Sequence, residues 1–206
     1  DTGIFLDVPD ADYRALPYPS FSTLKAWCMD GKQPTERVTL IGNVLHAWLL
    51  RGKDELARLY KSVDEDFPLN TKEGKLRHVE LRQMHPGKVI VRKSESVKAK
   101  AMYNAVVANE SFVACVNAYG GSEVVAVAGL PECGGLVFKG MIDMPRPRAK
   151  PHPLIVDLKT TGYRNENEFR NAVCDMGYFA QAALYCDLYL AAGGKDGVFK
   201  WMCVST

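Results

Sequence analysis

The sequence reads as an α/β domain, a mixed central β-sheet flanked by helices, and three observations point there. Helix-type patterns fill the first half, short strand-type segments follow, and one long helical stretch and a last strand-type segment close the chain. That order suits helices packed on the faces of a sheet. A length of 206 residues with 47% apolar residues can bury a sizeable core and points to a single domain over 1–206. No internal repeat or low-complexity tract breaks the pattern.

Helices are expected near 20–30, 38–52 and 53–61. The second contains Thr39-Leu-Ile-Gly42-Asn-Val-Leu-His46-Ala-Trp-Leu-Leu50, strongly apolar with one histidine. A lone histidine on an apolar helix is ordinarily a satisfied core residue. From Asn70 to Lys88 the chain is polar and basic without clear periodicity, which predicts a mobile loop. Val89–Arg92 reads as a short strand and Ser96–Asn109 as a helix begun by Ser94 or Ser96. Strands are expected near 123–128, 135–144 and 153–159. Phe169, Val173, Met176, Ala180, Leu184 and Leu188 then hold a 3.6-residue period, predicting one long helix from Glu166 to Ala192. Val198–Val204 reads as the last strand.

The chemistry concentrates in Gly140-Met-Ile-Asp143 and Leu154-Ile-Val-Asp157-Leu-Lys159-Thr160-Thr161. On a strand Asp157 and Lys159 share one face while Leu158 points away. Asp143 comes level with Asp157 if residues 145–153 connect a hairpin. Two carboxylates and a lysine at one point supply oxygens for a hard divalent cation and a cation for the attacking water or scissile phosphate, the minimum for metal-assisted phosphodiester hydrolysis. Taken alone, Asp-x-Lys also fits a surface ion pair on an edge strand. The connection Pro145-Arg146-Pro-Arg148-Ala-Lys150-Pro-His-Pro153 is basic and stiff, suited equally to tracking a phosphate backbone and to a plain solvated loop. Gln181 and Tyr185, four apart, are neighbours on one helical face.

Taken in order, these segments resemble the RecB-type branch of the PD-(D/E)xK nucleases, and most closely the phage-type RecE exonucleases. Ser20-Phe-Ser22-Thr-Leu24 is similar to the family's Ser-x-Ser-x-Leu helix start, Gly42-Asn-Val-Leu-His46 to its Gly-x-x-Leu-His motif, and Glu123 to an acidic residue often found before the hairpin. Gly140-x-x-Asp143, Asp157-Leu-Lys159-Thr-Thr161 and Gln181-Ala-Ala-Leu-Tyr185 resemble the core motifs. Ile142 stands where the wider superfamily has Pro, and Asp157 where it often has Glu. The resemblance implies a restriction-endonuclease-like core. It also implies that His46, Asp143, Asp157 and the Leu158 carbonyl hold Mg2+ or, through the imidazole, Mn2+. Glu123 is an additional metal-facing candidate, for which a solvated edge is the alternative. Lys159 becomes the catalytic lysine, with Gln181 and Tyr185 bracing the site and meeting DNA. DNA contacts are implied for Ser20, Ser22, Arg146, Arg148, Lys150, Thr160 and Thr161, and the 70–88 segment is expected to approach DNA. The activity implied is 5′ to 3′ degradation of duplex DNA from its ends by a ring-shaped homo-oligomer, with a single-strand annealing protein as partner.

Composition excludes less than it permits. A net charge of +2 and pI near 8.2 do not announce nucleic acid. Six cysteines without Cys-x-x-Cys argue against a structural zinc or iron–sulfur site. No signal peptide or eighteen-residue apolar run is present, so a reducing cytoplasm and no membrane partner are expected. The first residue is Asp1 rather than Met, as in a trimmed chain or a piece of a longer one. An endonuclease on the same fold and a non-catalytic DNA-binding module are the competing functions. Intact Asp143, Asp157 and Lys159 speak against the module, because carboxylates that repel without metal are otherwise a cost.

Overall fold

A computed structural model describes residues 2–28, 36–117, 123–146, 148–149, 152–163 and 165–205. Strand β1 (Gly3–Leu6) and helices α1 (Asp10–Ala15) and α2 (Phe21–Cys28) precede α3 (Glu36–His46) and α4 (Gly52–Leu59). Strand β2 (Tyr60–Ser62), α5 (Lys72–Met84), β3 (Val89–Val91), α6 (Lys93–Val107) and α7 (Glu110–Asn117) follow. The second half is β4 (Val124–Leu130), β5 (Leu136–Ile142), β6 (Met144–Arg146), β7 (Leu154–Thr161), α8 (Glu166–Asp175), α9 (Tyr178–Ala191) and β8 (Val198–Ser205).

The expected central sheet is present as two three-stranded ladders, β1-β4-β5 and β6-β7-β8, with β2 and β3 paired in parallel elsewhere. In the first ladder all pairs are antiparallel; in the second, β6 runs antiparallel and β8 parallel to β7. The segment expected as one strand over 135–144 changes partners at Asp143, pairing with β4 before it and β7 after it. Met144 faces Val156, so one further step sets Asp143 level with Asp157, as the hairpin reading requires. The connection is shorter than expected, because Pro145 and Arg146 belong to β6. Proline is tolerated there because β6 is bonded on one side only.

Alternation along β7 fixes the layers. Val156 and Leu158 pack with Met144, Leu45 of α3 and Met102 and Val106 of α6. Ile155 packs on the opposite side with Ile142, Ala126 and the α9 residues Tyr185, Leu188 and Tyr189. Helices thus cover both faces, the restriction-endonuclease-like arrangement. Two glycines permit the close approach. A Cβ on Gly42 of α3 would lie 2.7 Å from Thr160 Oγ1, and one on Gly140 of β5 would lie 2.9 Å from Leu188 Cδ2 and 3.1 Å from Tyr185 Cε1.

Two expectations are corrected. The segment read as a mobile loop over 70–88 contains α5, whose N-cap Thr71 accepts from the Gly74 amide. Leu81 is buried with Phe67 and Ile90, but most of the helix faces solvent, so no apolar period marked it. The single helix expected over 166–192 is two, α8 and α9, separated where Gly177 adopts φ 68°. Lys25 Nζ donates to the Met176 carbonyl at 2.9 Å and ties α2 to this break. Among the described residues no helix is long and apolar enough to cross a membrane.

Candidate active site

Three elements bring the acidic residues together. Helix α3 ends at His46, and the chain continues through a wide π-type turn, Ala47–Arg51, that closes at Gly52 with φ 88°. Such turns widen the helix by one residue and recur at functional sites. His46 and Arg51 are thereby both delivered to the start of β4, where Glu123 stands, and to Asp143 between β5 and β6. His46 Nδ1 lies 3.9 Å from Glu123 Oε1 and 3.7 Å from Asp143 Oδ2. One ligand atom from each of the three can be chosen so that all lie within 4.8 Å of one another. Atoms bound to one ion at about 2.1 Å are at most about 4.2 Å apart, so small movements place this set around a single cation. The donor set fits a divalent metal.

Sequence reasoning named His46, Asp143 and Glu123, and these converge. Asp157 stands beside that trio, buried, with Oδ2 2.7 Å from Lys159 Nζ. The Leu158 carbonyl is engaged by His46, whose Nε2–H donates to it at 2.9 Å, while the Leu158 amide donates to Asp143 Oδ2 at 2.8 Å. Bonding through Nε2 leaves Nδ1 turned toward the carboxylates, the orientation a ligand needs.

Lys159 Nζ also donates to Gln181 Oε1 at 3.0 Å. Tyr185 is buried beneath Gly140 and interacts with Gln181. Ser20 is buried at the start of α2, its Oγ 2.8 Å from Ser22 Oγ and 3.1 Å from Thr23 Oγ1, in a capping arrangement. Thr160 packs on Gly42 and Thr161 is buried. Arg146 pairs with Leu154, three residues or about 10 Å along the strand from Asp143. Exposed Arg148 lies beyond it, at the opposite end of β7 from Lys159. Lys150 is outside the described residues.

Arg51 was not foreseen. Its guanidinium donates to Glu123 Oε2 through Nε and Nη2 and to Met141 Sδ at 3.2 Å, leaving Oε1 of Glu123 toward His46. An arginine between two helices carries no local signal of such a role. Arg51 and Glu123 also line two grooves, one of about 600 Å³ bordered by Asp7, Asp10, Glu55 and Arg58, and one of about 210 Å³ that reaches His46, Arg14 and Asn43.

Each acid faces a cation: Glu123 faces Arg51, Asp143 faces His46, and Asp157 faces Lys159. The acids still repel one another, since Asp157 and Glu123 both push the Asp143 carboxyl up, and the three cations offset that cost in part. Of the three cations only an imidazolium gives up its proton near neutrality. Burial works against the charged form of His46, but Asp143 and Glu123 overcome it and raise its pKa to about 9. Burial pushes Asp143 upward, and neighbouring Asp157 and Glu123 add to this while His46 opposes it. Burial also disfavours the Lys159 ammonium, yet Asp157 and then Asp143 hold it above the ordinary lysine value. Lys159 stays charged at neutral pH.

A linkage follows. A histidine raised from 6.5 to about 9 stabilises the fold fully below pH 6.5, and that contribution is lost as pH rises through about 9. Asp143, also raised, adds a loss of the same sign at lower pH. The melting temperature of protein treated with chelator is expected to fall by about 5 °C between pH 6.5 and 9.5, and added Mn2+ to restore it by replacing the proton. Scanning calorimetry with and without chelator checks this.

The family model described as a PDDEXK-like domain of unknown function (DUF3799) matches residues 22–206, a span holding His46, Glu123, Asp143, Asp157, Lys159, Gln181 and Tyr185. The chain belongs to this PDDEXK-like family. No curated protein matches it. Membership places the chain in a nuclease class of domain, and the His46–Glu123–Asp143 trio is where this member can hold the divalent metal such nucleases use.

Proposed function

We propose that this PDDEXK-like protein is a Mg2+-dependent exodeoxyribonuclease that degrades linear duplex DNA from its ends, 5′ to 3′, as the nuclease of a phage-type recombination system. The observation that carries the metal-dependent hydrolysis is the meeting of the His46–Glu123–Asp143 donor set with the Asp157–Lys159 pair across one strand register. His46, Glu123, Asp143 and Asp157 would hold the cation, Mg2+ or Mn2+. A divalent ion there supplies Lewis-acid polarisation of the scissile phosphate and a water of lowered pKa.

The chain's own residues do the rest. Lys159, held as an ammonium, is a donor and not a general base: it steadies the attacking water or the charge gathering on phosphoryl oxygens. Gln181 fixes that ammonium and Tyr185 fixes Gln181. Arg51 anchors one oxygen of Glu123 so that the other stays aimed at the trio.

Attack from ends, 5′ to 3′ polarity, a ring-shaped homo-oligomer, a single-strand annealing partner and a cytoplasmic setting rest on the RecE-like motif order. A ring threaded by duplex cannot load onto a closed circle, and enclosure explains retention of substrate by a chain of only +2 net charge. Incubated with Mg2+, linear duplex DNA is expected to be degraded to mononucleotides and long single strands while covalently closed circles persist. Rapid nicking of circles by homogeneous protein moves the reading to an endonuclease. Metal binding without cleavage of either DNA moves it to a non-catalytic module.

A further inference from the structure

Lys159 is a flexible side chain whose ammonium has three donors, and it must be held at one point to act on one phosphate. Asp157 Oδ2 at 2.7 Å and Gln181 Oε1 at 3.0 Å take two directions. The third is closed by a ring: Nζ lies 4.9 Å from the centroid of Tyr178, within the range of cation–π attraction. We propose that Tyr178 is a positioning residue for Lys159, the third wall of its cradle, and that the interruption at Gly177 serves to present it; this rests on the nuclease reading.

The local backbone supports this independently of the contact. A helix running uninterrupted from 166 to 192 was the expectation, and the chain departs from it at the residue before Tyr178, where Gly177 takes φ 68°. The Gly177 carbonyl accepts from the Gln181 amide at 3.1 Å and so starts the turn that carries both groups. Tyr178 and Gln181 are three apart, hence on one face of α9, and that face meets a single ammonium. Lys25 bonded to the Met176 carbonyl fixes the break from outside.

The ring is itself held. Phe169 of α8 packs against Tyr178 with centroids 6.2 Å apart and touches Tyr163 at 6.4 Å and Trp201 at 6.0 Å. Trp201 stands opposite Asp157 in the β7/β8 register, so this aromatic wall rests on the strand beside the one that carries the acid and the lysine. Because the ring face makes the contact, the hydroxyl is dispensable and aromaticity is not.

Steady-state cleavage of linear duplex DNA by the full chain tests this with Tyr178→Phe and Tyr178→Leu. The Phe variant is expected to keep kcat within about two-fold, and the Leu variant to lose about ten-fold in kcat with KM unchanged. A readout independent of activity is NMR of protein labelled with 13Cε-lysine. The Lys159 Hε resonance, assigned by its absence in Lys159→Met, should lie upfield from the ring current in wild type and Tyr178→Phe, and return to the ordinary lysine position in Tyr178→Leu. A folded Leu variant with wild-type kcat, or one changed in KM alone, overturns the proposal. So does a Lys159 resonance without upfield displacement in the wild type, which decides the matter even if the Leu variant does not fold. Wild-type protein inactive on every DNA refutes the nuclease reading, while the resonance comparison still judges the placement of Lys159 alone.

Discussion

Lys159→Met is expected to lower kcat on linear duplex DNA by at least about a hundred-fold, with Mn2+ affinity retained and the fold intact. The lysine is not a ligand, and its charge acts where negative charge develops on the phosphate. Met keeps most of the apolar stem, while the ammonium and its contact with the Tyr178 ring are lost. Removal leaves Asp157 buried without its cation, which draws a divalent ion more strongly, so Mn2+ binding should be unchanged or tighter. Calorimetric Mn2+ titration and single-turnover cleavage on the same preparation separate the two effects. Wild-type cleavage by folded Lys159→Met removes Lys159 from the chemistry. Loss of Mn2+ binding shows instead that the ion sits nearer the lysine than the His46 trio.

The parts of this site that were legible in sequence are those set by strand geometry. Asp157-x-Lys159 on one face needs only the two-residue period, and Asp143 level with Asp157 needs only a short hairpin. Both hold in the register. Gly42 and Gly140 stand in the motifs because a helix and a strand close on each other at both, a reason that appears once Gly42 of α3 is seen against Thr160 of β7 and Gly140 of β5 against Tyr185 of α9. What was illegible depends on side chains from distant segments. Arg51 reaches Glu123 across 72 residues, and Tyr178 meets Lys159 only because the helix stops at Gly177, which a continuous apolar period concealed. Helix α5 escaped because a helix lying mostly in solvent has no apolar stripe to read. The basic residues at 146 and 148 lie about 10 Å or more along the sheet from Asp143, because β6 runs away from Lys159 after the register that sets Asp143 level with Asp157.

Asp143→Asn should give a protein that is more stable without metal and nearly inactive with it. The amide has the shape of the carboxyl and retains an oxygen to accept from the Leu158 amide, so the bend between β5 and β6 is kept. What disappears is a negative charge that the fold disfavours, as the upward displacement of its pKa by burial and by Asp157 and Glu123 indicates. At pH 8 the chelator-treated variant should melt at or above the wild-type temperature, and its stability should vary less between pH 6.5 and 9.5, because Asp143 is the strongest of the groups that raise His46. With the charge goes an oxyanion for the cation, so Mn2+ affinity should fall roughly a hundred-fold and cleavage at fixed Mg2+ by at least about a thousand-fold. A stability gain paired with loss of function is the mark of a residue kept for chemistry. A packing role predicts the reverse pairing, a lower melting temperature with Mn2+ affinity unchanged, and that result would return Asp143 and the His46 trio to ordinary core polar groups.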